Sequence, residues 1–213
     1  MLKHQRFVFN PFYENTYLIW DQSSKHAAIV DPGCYDEKER RIVDDFIQEN
    51  SLVLISIINT HCHIDHIFGN EYFKGKYNSQ LMVPVEDEFL LDEMIVAAKE
   101  YQVNLVPSPK PDYLIKANDE LRLGESLGKF LLTPGHSPGE VCLYFEKEKI
   151  CFTGDVLFKE SIGRTDLWGG NFATLIKSIT NELFSLPEDI TIYPGHESAS
   201  TIAHEKKHNP FLQ

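Results

Sequence analysis

A chain of 213 residues can bury one sizeable core and is short for two ordinary domains. With 42% hydrophobic and 24% charged residues it is not a disordered chain, and its formal net charge of −12 argues against nucleic acid as a principal partner, which would call for a basic stripe. No apolar run approaches the roughly 20 residues that span a bilayer, and Met1 to Asn10 lacks the basic segment and apolar core of a signal peptide, so a cytoplasmic protein with no membrane partner is expected.

In chain order, Arg6 to Phe9, Thr16 to Trp20 and Ala27 to Val30 are short β-branched or aromatic runs between turn residues, which predicts a three-strand meander. Asp31-Pro32-Gly33 breaks the third strand. From Asp36 to Gln48, Ile42, Val43, Phe46 and Ile47 share one helical face. Leu52 to Ile58 is a continuous apolar run that suits a strand covered on both faces, and Leu81 to Pro84 reads as another. Glu86 to Tyr101 reads as a helix and Pro107 to Pro111 as a proline-punctuated surface loop. Strands follow at Leu121 to Leu123, Lys129 to Thr133, Val141 to Phe145 and Ile150 to Phe152. A helix at Phe172 to Phe184, a strand at Thr191 to Tyr193 and a closing helix at Ser198 to Lys206 complete the chain. Strands then helix, repeated twice, predict two sheets with helices outside. No repeat or linker interrupts the sequence, so one domain is expected over residues 1–213. Cys34, Cys62, Cys142 and Cys151 have no CxxC spacing and read as reduced, mostly buried thiols.

The chemistry is concentrated in Thr60-His61-Cys62-His63-Ile64-Asp65-His66, which puts four good metal ligands within six positions, directly after an apolar strand. A strand end opening into a loop is where α/β proteins place functional groups. His61 and His63 point to one side if the backbone stays extended. Asp65 and His66 fall where the chain turns and aim at a neighbouring point. Ligands this closely spaced do not easily wrap one ion, and two adjacent ions solve the geometry. Cys62 then faces away and serves packing.

Three more candidates share one setting, a short apolar strand followed by a polar residue beside glycine. They are His136 in Thr133-Pro134-Gly135-His136, Asp155 in Phe152-Thr153-Gly154-Asp155 and His196 in Tyr193-Pro194-Gly195-His196. Singly each reads as structural; together, and with the first motif, they read as ligands. Asp31 is expected either to support a loop or a ligating histidine, or to be a plain turn former.

This ordered set resembles the metallo-β-lactamase superfamily, and specifically its glyoxalase II-like (hydroxyacylglutathione hydrolase-like) enzymes. The resemblance runs nearly end to end, through Asp31-Pro32-Gly33, His61 to His66, Gly135-His136-Ser137-Pro138-Gly139, Gly154-Asp155, Gly195-His196 and Asn209-Pro210-Phe211-Leu212. It implies a four-layer αββα sandwich with metals at one edge of the two sheets. It also implies that His61, His63 and His136 bind one ion, that Asp65, His66 and His196 bind a second, and that Asp155 bridges them. Imidazole and carboxylate without cysteine suit zinc, with iron or manganese also possible.

The activity so implied is hydrolysis of a small-molecule thioester by a metal-bound hydroxide, which Asp65 helps to orient. A thiolate leaving group, with a free pKa near ~8.5, needs no strong general acid. The likeness gives Arg164, in Gly163-Arg164-Thr165-Asp166, a contact with a substrate carboxylate; its alternative is a loop-fixing salt bridge. Glyoxalase II enzymes continue past the position of Gln213 into a helical region with basic and aromatic substrate contacts; for such contacts this sequence offers Lys206, Lys207 and His208, which precede Gln213. Ser198 stands in the neighbourhood of a family tyrosine.

The main rival is a persulfide dioxygenase of the same superfamily, with one iron on His61, His136 and Asp155. The complete second ligand set, including His196, favours the two-metal hydrolase. An RNA-processing nuclease wants a basic groove, a β-lactamase wants an export signal, and a purely structural metal role does not call for a complete double set.

Overall fold

The computed structural model describes residues 1–213. A first six-stranded sheet consists of β1 (Leu2–Phe9), β2 (Glu14–Asp21), β3 (His26–Val30), β4 (Val53–Ile58), β5 (Gln80–Pro84) and β6 (Tyr113–Ile115), side by side in that order. Short turns make β1 to β3 antiparallel. From β3 to β6 the strands are parallel, as crossover connections require. Those connections carry α1 (Glu37–Glu49), the single turn α2 (Ile64–Ile67), α3 (Asn70–Tyr77) and α4 (Leu90–Glu100).

The second sheet contains β7 (Glu120–Leu123), β8 (Ser126–Leu132), β9 (Val141–Phe145) and β10 (Ile150–Gly154). The hairpin β11 (Leu157–Phe158) and β12 (Ser161–Ile162), then α5 (Phe172–Ser178), lead to β13 (Thr191–Pro194), which returns parallel to β10. The edge strand β14 (Ser200–Thr201) and α6 (Ile202–His208) follow.

Alternation along the strands explains the layers, because successive side chains leave a strand on opposite faces. Tyr17, Ile19, Ala28, Val30 and Ile58 meet Phe130, Leu143, Phe145 and Phe152 between the sheets. Their neighbours Leu18, Ala27, Ile29 and Ile57 pack outward against Val43, Ile47, Phe73 and Leu90 of the helices. On the far side, Cys142, Cys151 and Ile192 are covered by Leu175, Ile179 and Ile202. Each fully buried Val, Leu, Ile or Phe among them contributes about 1.5–3 kcal/mol. The result is the expected αββα order. All four cysteines are free and buried, and no helix is long and apolar enough to cross a membrane.

The closing helix starts later than expected. Ser200 and Thr201 pair with Ile192 and Thr191, and Thr201 then caps the helix, its Oγ1 accepting from the His204 N–H at 3.1 Å. Ser198 is therefore not helical. Thr201→Ala is expected to cost about 1 kcal/mol, read as a lower denaturant midpoint; an unchanged midpoint would show that the cap carries nothing. The predicted helix Glu86 to Tyr101 is divided as well. A 3₁₀ turn, Val85–Asp87, comes first, because the Asp87 carboxylate is drawn to the Gly139 N–H and the Ser137 hydroxyl, both at 2.6 Å. Four elements had no sequence prediction: α3, β6 and the hairpin of β11 and β12.

Candidate metal centre

Several chain segments deliver polar residues to one edge of the sandwich. β3 leads to Asp31, β4 to Thr60 to His66, β8 to His136, β10 to Asp155 and β13 to His196. The Val141 N–H donates to Thr60 O at 2.9 Å, tying the two sheets together at that edge. β2 does the same for the last ligand loop. The Asn15 amide side chain donates to Pro194 O and Glu197 O at 2.9 Å, and the Tyr17 hydroxyl donates to Pro194 O at 2.8 Å.

The seven expected ligand residues converge. His61 Nε2, His63 Nδ1 and His136 Nε2 form one group, with separations of 3.3 Å from His136 to His61 and 2.8 Å from His136 to His63. Asp65, His66 and His196 form the other: Asp65 Oδ2 is 3.6 Å from His66 Nε2 and 3.2 Å from His196 Nε2. Asp155 lies between them. Its Oδ1 is 3.6 Å from His66, and its Oδ2 is 3.6 Å from His136 and 3.5 Å from His196.

Neighbouring groups set which nitrogen of each ring faces inward. The carbonyl of Arg164 can only accept, so His136 Nδ1, 2.8 Å away, carries the proton and Nε2 offers its lone pair to the centre. His66 Nδ1 lies 3.1 Å from Asp31 Oδ2. Asp31 also accepts from the Thr60 N–H and hydroxyl at 2.7 Å, and its own φ is 49°, so it both turns the chain and supports a histidine. His61 Nδ1 is 3.2 Å from Thr60 Oγ1 and 3.5 Å from Glu140 Oε1.

Electrostatics divide the cluster. Burial holds His61 well below the usual imidazole range and pushes His63 down to about 3 and His136 to about 4. All three are neutral, the form that ligates metal. Burial also works against protonating His66, but Asp65, Asp155 and Asp31 together overcome it and raise its pKa; Asp155 and Asp65 do the same for His196. Burial disfavours the Asp65 carboxylate, yet His66 and His196 draw its pKa below the usual range. In this half, protons on histidine supply the positive charge that a cation would supply. The buried atoms His66 Nε2 and Asp155 Oδ1 have no hydrogen-bond partner, a costly arrangement that a cation at this point would relieve. The donor set therefore fits a pair of divalent ions.

Above the cluster opens a cleft of about 750 Å³, with His63, Asp65, His136, Asp155 and His196 on its floor. Arg164 also lines it, but both arms of its guanidinium bond Asp166 at 2.7 Å. The side chain thus makes the loop-fixing ion pair, while its carbonyl orients His136. Cys62 faces the apolar core.

Three supporting residues were not singled out from sequence. Glu140 is fully buried and its Oε1 accepts from the Asp155 N–H at 2.6 Å; burial raises its pKa well above the carboxylate range. Asp87 clasps the loop after His136, and the Asn10 side chain donates to Asp65 O at 2.9 Å. A charged residue opening the apolar run after Gly139 was a visible signal for Glu140. The other two carry none, since their partners are remote in sequence.

An αββα sandwich carrying five histidines and two aspartates at one edge of its sheets defines a metal-dependent hydrolase. The chain belongs to the metallo-beta-lactamase superfamily, whose family model matches residues 9–196. It is 38% identical to a Haemophilus influenzae protein named hydroxyacylglutathione hydrolase GloC, over 94% of this chain and 93% of that one. Among solved structures it is similar to the BLEG-1 B3 metallo-beta-lactamase (32% identity, TM-score 0.89, 99% of both chains). It is also similar to TTHA1623 in a di-iron-bound form (30%, TM-score 0.86, 98% of this chain and 100% of that one). ETHE1 from Myxococcus xanthus aligns at 26% with a TM-score of 0.81, over 98% of this chain and 83% of that one.

Proposed function

We propose that the protein is a thioester hydrolase acting on hydroxyacyl-thiol substrates with two divalent metal ions, zinc in the first place and iron as the alternative. The observation that carries this reading is the double set of ligand atoms, shared through Asp155 and open to a cleft. His61, His63 and His136 would hold one ion and Asp65, His66 and His196 the other, with the Asp155 carboxylate within reach of both groups. When bound, the pair supplies Lewis-acid activation of water and of the substrate carbonyl.

The chain's own residues do the rest. The Asp65 carboxylate, on the cleft floor, is placed to accept a hydrogen bond from the attacking water and orient it. Asp31 stands against the outer nitrogen of His66, and the Arg164 carbonyl keeps the lone pair of His136 turned inward. The thiolate leaves without help from an acid, which agrees with the lack of any other acidic group on the floor. The relative named hydroxyacylglutathione hydrolase supports the thioester substrate.

A second reading, a mononuclear iron oxidoreductase on His61, His136 and Asp155, draws on the likeness to ETHE1. It leaves Asp65, His66 and His196 without a task. The test is elemental analysis of protein purified without chelators, alongside assays with a hydroxyacyl thioester, a persulfide and a β-lactam. Close to two metals per chain with chelator-sensitive thioester hydrolysis is expected. His196→Ala is expected to retain about one metal and to lose roughly 10²–10³-fold in kcat/KM. One iron per chain, with oxygen uptake on the persulfide and no thioester hydrolysis, would overturn the proposal. Faster turnover of the β-lactam would move the substrate class.

A further inference from the structure

We infer that the cleft selects its substrate by charge, accepting thioesters whose thiol half is apolar and neutral or cationic and turning away polyanionic thiols, through Glu93 and Glu100 of α4. The inference rests on the thioesterase reading for the bond that is cleaved, and adds which thiol is accepted.

Helix α4 forms one wall of the cleft. Glu93, Ala97 and Glu100 all line it, at spacings of four and three residues that place them on one helical face. The two carboxylates stand about 10 Å apart along the axis. Neither has a cationic partner, whereas the one lysine or arginine that lines the cleft, Arg164, is already engaged by Asp166. Beyond the metal-ligand floor, the cleft therefore presents two unbalanced negative charges and no free cation.

Around these carboxylates the surface is apolar and open. Val96 is 57% exposed, Tyr101 45% and Trp168 71%, and all three line the cleft. Large exposed apolar groups gathered at one opening mark a binding surface. Phe89 at the start of α4 meets Trp168 edge-on, 4.8 Å between ring centroids, so the two sides of the mouth touch there. This aromatic contact and the α4 carboxylates line the same cleft as the ligand floor. Apolar substituents gain burial there. A carboxylate meets like charge, which at about 4 Å in water costs roughly fivefold in affinity per pair and more where water is excluded.

The probes are S-benzylglutathione, an inert thioether with two carboxylates, and its dimethyl ester, which has the same skeleton without them. Binding of each to metal-loaded protein is measured by calorimetry at low and high salt. The ester is expected to bind about tenfold more tightly at low salt, with the gap shrinking as salt screens it. In E93Q/E100Q the two affinities are expected to come within about threefold. Equal or tighter binding of the dicarboxylate by the unmodified protein would overturn the inference, as would an unchanged gap in E93Q/E100Q. Because neither probe holds a thioester, and mass spectrometry after each titration checks that the methyl esters are intact, this result is independent of thioester turnover. A protein that shows the charge preference but cleaves no thioester would retain the selectivity and lose the thioesterase reading.

Discussion

Asp155→Ala is expected to empty both metal positions together, leaving well under one metal per chain and at least about a 10³-fold loss in kcat/KM. The reason is its position. The two oxygens of this one carboxylate lie within 3.6 Å of His66, His136 and His196, which belong to both ligand groups. Removing it takes a negative charge from each group at once, and the remaining ligands on the His61 side are all neutral imidazoles. His196→Ala, in contrast, removes a ligand from one side only. The loop itself should survive the change, because Glu140 grips the Asp155 backbone N–H rather than its side chain. Elemental analysis and kcat/KM on the same preparation decide the matter. Two metals per chain and activity within tenfold of the parent would show that Asp155 is not shared between the ions.

Gly135→Ala is expected to destabilise the protein by about 3 kcal/mol or more, and to lower metal content through the displaced His136. Gly135 has φ = 138°, a conformation that side chains rarely adopt. A Cβ there would lie 2.3 Å from Leu175 N and 2.4 Å from Leu175 Cα, which are helix backbone atoms and cannot rotate away. The Asn171 N–H donates to Gly135 O at 2.8 Å, so α5 is bound to this turn through its N-cap. Gly75 in α3 provides the control. A Cβ at Gly75 meets nothing within 4 Å, and Gly75→Ala is expected to stabilise by roughly 0.5–1 kcal/mol through helix propensity. Chemical denaturation of the two variants separates local conformational preference from steric collision. Similar midpoints for both would refute the argument.

Much of this architecture is legible in the sequence because it repeats one local rule. An apolar strand ends, the chain turns, and a histidine or aspartate follows, at His61, His136, Asp155 and His196. Each instance is written in five or six adjacent residues. The supports are different in kind. Asp87 acts on Gly139, 52 positions away, and Asn10 acts on Asp65, 55 positions away, so no window of sequence contains both partners. β14 was hidden for a different reason: its two residues carry no strand pattern of their own and become a strand only by pairing with β13. Arg164 shows the opposite case. Its partner Asp166 is two residues on and was in plain view, yet a free guanidinium and a paired one read alike until the geometry is known.

The contacts between β2 and the His196 loop also bear on the order in which the centre is assembled. Asn15 and Pro194 are 179 positions apart. At about 5–20 residues per second, a ribosome delivers the strand end roughly ten to forty seconds after the strand on which it docks. During that interval His61, His63, Asp65 and His66 have already been made, while the seat for the final histidine stands empty on β2. The nascent chain therefore carries an incomplete cluster until β13 has been synthesised and has reached back to β2.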